Sequence, residues 1–284
     1  MKKFINVTAA LFLLTQLNIS AQDLPESALI SKTDSLLEKL VVLQQKCAGI
    51  HPCLMEHQPI AIVYNDSLLI FNFDNEGESY GLIKKAGEPF PLSKGIEASF
   101  PLSVYDNKPT CIITPTTLER SSGFATILHE FIHCCQFNSV EMQLKQKLEI
   151  YKEAMKKNDY SWEITYSFPY DNPVFINYYN RYKEALESDN LAAAKKLRSE
   201  IKEYLNPKDY EYMLWEEWKE GLARYVENKV RDKMGVELNN YGSEEPYNRV
   251  AFYYSGELLL DKLTTSDPAL PGDMGRLYEA MEKF

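Results

Sequence analysis

Apolar residues near the start of the chain recur with the spacing of an amphipathic helix. Between residues 25 and about 46, aliphatic side chains return at Leu29, Ile30, Leu36, Leu37, Leu40, Val41 and Leu43. This period places the apolar side chains on one side of a helix, where they can pack on a core. The pattern therefore predicts that an amphipathic helix opens the mature chain.

Short apolar segments separated by turn residues follow this helix. Residues 60–64 and 68–73 are joined by Asn65-Asp66, a pair that is typical of a β-hairpin turn. Further strands are predicted near residues 80–83, 98–105 and 110–114. These segments together predict a small sheet of about four or five strands.

Helical spacing returns after the predicted sheet. Pro115 ends the last strand, and Thr116 with Glu119 matches a capping box for a long helix that continues to about Gln136. Further helices are predicted near residues 140–157, 173–188, 191–205, 210–234 and 247–263, with a short one near the C-terminus. Strands first and helices afterwards indicate an α+β fold.

The first residues have the pattern of a secretory signal peptide. Lys2 and Lys3 precede an apolar stretch over residues 4–19, and the small Ala21 follows it. The stretch is interrupted by polar side chains and is shorter than the roughly 20 apolar residues of a transmembrane helix. We therefore expect residues 1–21 to be removed, so that the mature chain is exported (periplasmic or secreted) and has no membrane span.

Composition and charge narrow the class of partner. Of the 284 residues, 45% are hydrophobic, which is enough apolar material for one substantial core without repeats. The net charge is −10, and loss of Lys2 and Lys3 with the signal peptide makes it −12. Such an acidic protein repels phosphate backbones and anionic membrane surfaces, so nucleic-acid binding is disfavoured. The oligomeric state does not follow from the sequence.

Five cysteines in an exported chain indicate disulfide bonding. Cys47 and Cys53 flank a short segment, and we expect a local bridge between them. A second bridge from Cys111 stays open, and at least one thiol is left over. The spacing of Cys47, His51, Cys53 and His57 also permits a small metal knuckle as an alternative.

One pattern in the long predicted helix carries chemistry, namely His129-Glu130-Phe131-Ile132-His133. Two imidazoles four residues apart lie one turn apart on a helix, so both can bind one ion. Glu130 is rotated by about a quarter turn from His129, where its carboxylate reaches the attacking water instead of the metal. Zinc lowers the pKa of a bound water to about 7, and a carboxylate can take its proton during attack on a carbonyl carbon. The sequence therefore predicts a zinc metallohydrolase with Glu130 as general base.

A catalytic zinc site needs a third protein ligand. No histidine follows His133, so the remaining donors are carboxylates. Residues 215–227 place several acids among aromatic and small residues, and the small Gly221 and Ala223 allow two helices to approach closely. The third ligand is expected in this helix.

This segment resembles the second active-site helix of the gluzincin superfamily, the thermolysin-like and aminopeptidase-like zinc metallopeptidases. In that family a tryptophan is followed by Glu-Gly-x-Ala, which falls here on Glu220, Gly221 and Ala223. The resemblance implies peptidase activity with Glu220 as the third zinc ligand. Glu216 and Glu227 lie on roughly the same helix face and are interpreted as partners of the ligands or as solvated acids.

A further resemblance lies downstream, where residues 251–259 are similar to the Tyr-x-x-Gly helix of the aminopeptidase-like members. It implies that Tyr253 donates a hydrogen bond to the oxyanion, although a core aromatic is the alternative interpretation. Other positions depart from the family. His133 and Glu220 are separated by 86 residues, Arg224 stands where thermolysin-like members have an aspartate, and no Gly-Ala-Met-Glu-Asn segment that would recognise a substrate amine precedes the metal helix.

The patterns together predict an α+β, zincin-like fold with the active site between two lobes. Residues 22–137 would form the N-terminal helix, a small mixed sheet and the active-site helix, 138–209 a helical insertion, and 210–284 a helical lobe with the third ligand. The expected substrate is a peptide or protein, bound along residues 110–114 as an edge strand in the gluzincin manner. The alternatives are an inactive zincin-like binding protein and a helical interaction protein without a metal.

Overall fold

The computed structural model describes residues 24–74 and 78–284, so the predicted signal peptide lies outside the described residues. The strands are β1 Ile60–Tyr64, β2 Ser67–Asp74, β3 Ser79–Gly87, β4 Glu97–Leu102 and β5 Lys108–Ile113. The helices are α1 Glu26–Cys47, α2 Gly123–Ser139, α3 Glu141–Lys145, α4 Glu149–Lys156, α5 Trp162–Thr165, α6 Pro173–Glu187, α7 Leu191–Tyr204, α8 Pro207–Met234, α9 Val250–Ser266 and α10 Met274–Lys283. The predicted α+β class is confirmed.

The five strands form one mixed sheet with the order β3-β2-β1-β5-β4. β1 runs parallel to β5, and the other neighbours are antiparallel. Asn65 and Asp66 form the predicted two-residue turn between β1 and β2, with φ values of 49° and 57°. Both residue types tolerate this left-handed conformation, which the tight hairpin requires.

The prediction that residues 110–114 form a sheet edge is wrong. β5 lies inside the sheet, because β1 pairs with one side of it and β4 with the other. The edge next to the long helix is therefore β4. A strand's position in a sheet depends on pairing between distant segments, and the local apolar pattern carries no information about it.

The two faces of the sheet are covered differently. α1 and α2 pack with the larger core, to which alternate strand residues such as Ile60, Ile62 and Ile113 contribute. The opposite face carries a smaller cluster that includes Ala61, Ile70 and Ile112. This alternation is the expected period of two for strands that are buried on both faces. The sheet therefore presents β4 and β5 to α2, the helix that carries the His-Glu-x-x-His pattern.

The long helix begins later than the capping box predicted. Residues Pro115–Glu119 form a separate 3₁₀ turn, and α2 starts at Gly123. The chain folds back so tightly here that a Cβ on Gly123 would lie 1.8 Å from the carbonyl oxygen of Thr117. Thr116 contacts the hydroxyl of Thr114 instead of capping a helix.

A second predicted helix, over residues 140–157, is divided into α3 and α4. The division has a tertiary cause, because Glu211 of α8 accepts hydrogen bonds from the backbone N–H groups of Glu149 and Ile150 at 3.0 and 2.8 Å. These N–H groups belong to the first turn of α4 and have no partner within that helix. A carboxylate from a distant helix therefore caps the new start.

The disulfide prediction is also wrong. Cys53 pairs with Cys135, two residues beyond His133, whereas Cys47, Cys111 and Cys134 are free and buried. The bridge ties the 3₁₀ turn Pro52–Met55 to the metal helix across a sequence separation of 82. The alternative metal knuckle is excluded in this structure, because Cys53 is bonded to another sulfur. Which cysteines meet was decided by packing of α2, not by their spacing along the chain.

Helices α8 and α9 touch at two glycines. A Cβ on Gly221 would lie 2.6 Å from Cα of Gly256, and one on Gly256 would lie 2.3 Å from the carbonyl oxygen of Glu217. The predicted close approach at Gly221 is therefore present, with α9 as the partner. Although α8 is long, no helix within the described ranges is long and apolar enough to cross a membrane.

We predict that Gly221→Ala destabilises the protein by roughly 1–3 kcal/mol or more, because the new methyl group meets backbone atoms that cannot move independently. Chemical denaturation followed by circular dichroism measures the change. Gly81→Ala on β3 is the matched control, since a Cβ at this position would have no neighbour within 4 Å. Equal stability of both variants would contradict the close contact.

Candidate metal centre

Three buried side chains from two helices converge on one point. α2 supplies His129 and His133, and α8 supplies Glu220. The two Nε2 atoms lie 3.1 Å apart, and Oε2 of Glu220 lies 3.6 Å from Nε2 of His129 and 3.3 Å from Nε2 of His133. The three residues that the sequence singled out as metal ligands are thus brought together, although they come from segments far apart in the chain.

The dimensions of this triangle suit a tetrahedral ion. Zinc binds imidazole nitrogen and carboxylate oxygen at about 2.0–2.2 Å, which at tetrahedral angles places neighbouring donor atoms about 3.3 Å apart. The observed edges of 3.1, 3.3 and 3.6 Å bracket this value. Three protein ligands leave the fourth position for water or substrate, as in catalytic rather than structural zinc sites.

The outer nitrogens of both imidazoles are held by acceptors. Nδ1 of His133 lies 2.8 Å from Oε1 of Gln136, and Nδ1 of His129 lies 3.1 Å from Oε2 of Glu227. The orientation of the Gln136 amide is set, because its nitrogen donates to the carbonyl oxygen of Lys219. In their neutral forms both imidazoles therefore carry the hydrogen on Nδ1, and both Nε2 atoms direct a lone pair toward the same point. Two such lone pairs 3.1 Å apart repel each other unless a proton or a metal cation lies between them.

Glu227 is itself anchored as an anion. Its Oε1 accepts hydrogen bonds from Nε of Arg231 at 2.8 Å and from the amide of Asn239 at 3.0 Å. Burial alone would raise the pKa of Glu227, but the hydrogen bond and charge of His129, with Arg224 nearby, lower it to about 2. Glu227 is buried and contacts His129, a candidate ligand, so of the two interpretations offered by the sequence the solvated acid is wrong.

The acidic surroundings act on His129 in the opposite direction. Burial alone would lower the pKa of this imidazole, whereas Glu220 and Glu227 raise it to about 10. A positive charge is therefore strongly favoured at this point. A divalent cation satisfies the same demand, and it displaces the proton because coordination uses the neutral imidazole.

Glu130 lies on the same helix and does not belong to the ligand triangle. Its side chain is buried, and Oε2 has no hydrogen-bond partner in the described residues. Burial raises the pKa of this carboxyl, although the neighbouring imidazoles oppose the shift. The hydroxyl of Ser99 on β4 donates to the backbone carbonyl of Glu130 at 2.8 Å, which joins the edge strand to the metal helix. Oε2 of Glu130 is thus available to accept a proton.

Tyr253 reaches the same region from α9. Burial raises the pKa of its hydroxyl well above the usual range, and the carboxylates of Glu220 and Glu216 raise it further. The ring lies between two guanidinium groups, with Arg249 at 5.3 Å and Arg224 at 5.5 Å from the ring centre. Tyr253 therefore stays protonated and able to donate a hydrogen bond beside Glu220.

Two residues at the site were not found from the sequence. Gln136 had a usable signal, since it lies three residues after His133 and so on the same side of α2. Arg249 had none, because it precedes the first residue of α9 and only the fold brings it to within 3.8 Å of Glu220. Both residues reach the site because their helices pack around α8.

Comparisons of the chain with protein-family models, with curated proteins and with solved structures found no match. The class of this molecule therefore has to be argued from its own geometry. It is an α+β protein with a buried His-His-Glu group that could hold a metal ion.

We predict that Glu227→Ala weakens metal binding by roughly 10–100-fold, because His129 loses the acceptor that fixes its orientation and tautomer. The measurement is competition for zinc against a fluorescent chelator of known affinity. Glu237→Ala, at a position outside the helix that carries Glu227, is the control for loss of one negative charge. Undiminished zinc affinity in Glu227→Ala would contradict the assigned role.

Proposed function

We propose that this protein is a zinc-dependent metallohydrolase that cleaves peptide bonds. One observation carries the proposal, namely the triangle of His129, His133 and Glu220 donor atoms with edges near 3.3 Å beside the unpartnered Oε2 of Glu130. A metal site with a purely structural role does not need a buried acid with an unpartnered oxygen. A hydrolytic site requires one as the general base.

The chain's own residues divide the chemistry between them. A zinc ion held by the triangle would activate water at neutral pH and polarise the carbonyl group of the substrate. Glu130 accepts the proton of the attacking water, and its raised pKa lets it pass that proton to the leaving amine. Tyr253 donates its phenolic hydrogen to the oxygen on which negative charge develops.

The sheet edge supports a peptide as the substrate. β4 borders α2, and the hydrogen bond from Ser99 to the backbone of Glu130 places the strand beside the general base. An extended peptide can add to such an edge as a further strand, which lays its carbonyl groups beside α2. This arrangement, with the Glu-Gly-x-Ala segment on α8, supports a zincin-like fold and a relation to the gluzincins. The signal-like N-terminus favours a substrate outside the cytoplasm.

Elemental analysis of the purified protein tests the metal centre directly. One zinc per chain is expected in the wild type, with loss in His133→Ala and in Glu220→Gln and retention in the control His57→Ala. His57 stacks on Phe73 and does not belong to the ligand group. Failure of the wild type to bind zinc, even when zinc is supplied, would leave a metal-free interaction protein as the better account.

The activity depends on Glu130 in a way that metal binding does not. We predict that Glu130→Gln keeps its zinc and loses about 10²–10⁴-fold in peptide cleavage, because the amide cannot accept a proton. Mass spectrometry of a peptide library incubated with each variant measures the loss, with the surface variant Glu279→Gln as control. Zinc binding without cleavage of any library member by the wild type would favour the inactive zincin-like binding protein.

The two adjacent tyrosines of α9 offer a matched pair. We predict that Tyr253→Phe lowers kcat by about 10²–10³-fold, because a donor to the developing charge is lost, and that zinc content is unchanged. Tyr254→Phe is the control, since its hydroxyl contacts Glu187 at 3.0 Å, away from the ligand triangle. The decrease is expected to be the same from about pH 6 to pH 9, because the pKa of Tyr253 is raised. Equal activity of the two variants would make Tyr253 a core aromatic.

A further inference from the structure

Arg249 is a cation beside the candidate metal centre whose hydrogen-bonding capacity is unused. Its Nη1 lies 3.7 Å from Glu216 and 3.8 Å from Glu220, distances too long for hydrogen bonds. Within the described residues its guanidinium makes no hydrogen bond, and it also lies near the ring of Tyr253 and near Tyr212. The side chain remains 30% exposed, so a molecule entering the site can reach it.

Glu216 explains why a guanidinium stands at this place. The Glu216 side chain is fully buried, and neither of its carboxylate oxygens has a hydrogen-bond partner in the described part of the chain. Burial raises the pKa of the Glu216 carboxyl well above its usual range, and the positive charge of Arg249 opposes this shift. Nη1 of Arg249 lies 3.7 Å from this carboxyl, and 30% of the arginine side chain stays exposed. Glu216 is thus a positioning residue for Arg249.

Metal binding changes the balance around Arg249. Glu220 is one of its two acidic neighbours, and the same carboxylate is a metal ligand in the proposed centre. Once the charge of Glu220 is shared with a divalent cation, Arg249 loses much of the negative charge that compensates it. The planar guanidinium, which is partly exposed and makes no hydrogen bond within the described residues, then has N–H donors that match the two oxygens of a carboxylate.

We propose that Arg249 binds a carboxylate of the substrate beside the metal and so selects which peptides are cleaved. This inference rests on the proposed function and names the substrate class of the same site. The carboxylate has two possible sources. An α-carboxylate would make the protein a peptidase that acts near the C-terminus of its substrate, and an aspartate or glutamate side chain would make it selective for acidic sequences.

Peptidyl hydroxamates separate these cases without requiring a known cleavage sequence, because the hydroxamate itself chelates zinc. The probes carry tails of one, two or three residues that end in a free carboxylate, in a carboxamide, or in a carboxamide with one glutamate side chain. Titration calorimetry with the zinc-loaded protein gives the Kd of each probe. Acetohydroxamate, which has no tail, reports the metal centre alone.

We expect a carboxylate probe of one tail length to bind about 10–100-fold more tightly than its carboxamide, as a charge-assisted pair of hydrogen bonds provides. The preference should vanish in Arg249→Met and persist in part in Arg249→Lys. Arg276→Met, which removes a guanidinium paired with Asp267 on the surface, should keep it in full. If the probes with a free carboxylate show the preference, the source is an α-carboxylate. If the probes with a glutamate side chain show it, the source is an acidic side chain.

Several results would overturn the inference. Equal affinity of carboxylate and carboxamide probes at every tail length, or a preference that survives in Arg249→Met, would leave Arg249 as the counter-ion of Glu216 only. Unchanged acetohydroxamate binding in Arg249→Met shows that this variant is folded and metal-loaded, so such a result would leave the proposed function standing. Absence of zinc and of acetohydroxamate binding in the wild type would overturn both.

Discussion

Helix α8 buries a row of acidic side chains, and the elements around it are arranged to compensate them. The buried acids are Asp209, Glu216, Glu217, Glu220 and Glu227. An ionised carboxylate is strongly unfavourable in a core unless it is paired and hydrogen-bonded. Glu217 shows the fully compensated case, with Arg198 of α7 at 2.6 Å and Ser255 of α9 at 2.7 Å. The helices that pack on α8 therefore also supply partners for its charged side chains.

The candidate site lies where this compensation of the buried acids is incomplete. Glu220 meets two imidazoles whose outer nitrogens are already held, so the group favours a positive charge at its centre, either a proton or a metal ion. Glu216 has only the distant guanidinium of Arg249. α9 approaches α8 to backbone contact at Gly221 and Gly256. Side chains of α9 therefore lie next to the stretch of α8 whose acidic side chains are not fully compensated. A fold that paired every acid of α8 as it pairs Glu217 would have no place for a metal ion.

Much of the fold could be predicted from local patterns, and the misses share one cause. The hairpin at Asn65-Asp66 and the order of strands before helices follow from turn chemistry and periodicity. The start of α2 at Gly123, the division between α3 and α4 and the Cys53–Cys135 bridge do not. Each of these depends on a contact with a distant segment, such as the carboxylate of Glu211 that caps α4. Local propensity has no access to such partners.

The sequence by itself singled out His129 and His133, because two histidines four residues apart on an apolar helix form a one-dimensional pattern. Glu220 was reached through a resemblance, and the structure then placed its oxygen within 3.6 Å of both imidazoles. Only the tertiary structure decided that β4 is the edge strand, that Gln136 and Glu227 hold the imidazoles, and that Arg249 lies 3.8 Å from Glu220. The physical reason is that these hydrogen bonds and charge pairs form between helices that meet only in the folded protein. The residues involved are far apart along the chain, so no local sequence pattern indicates that they pair.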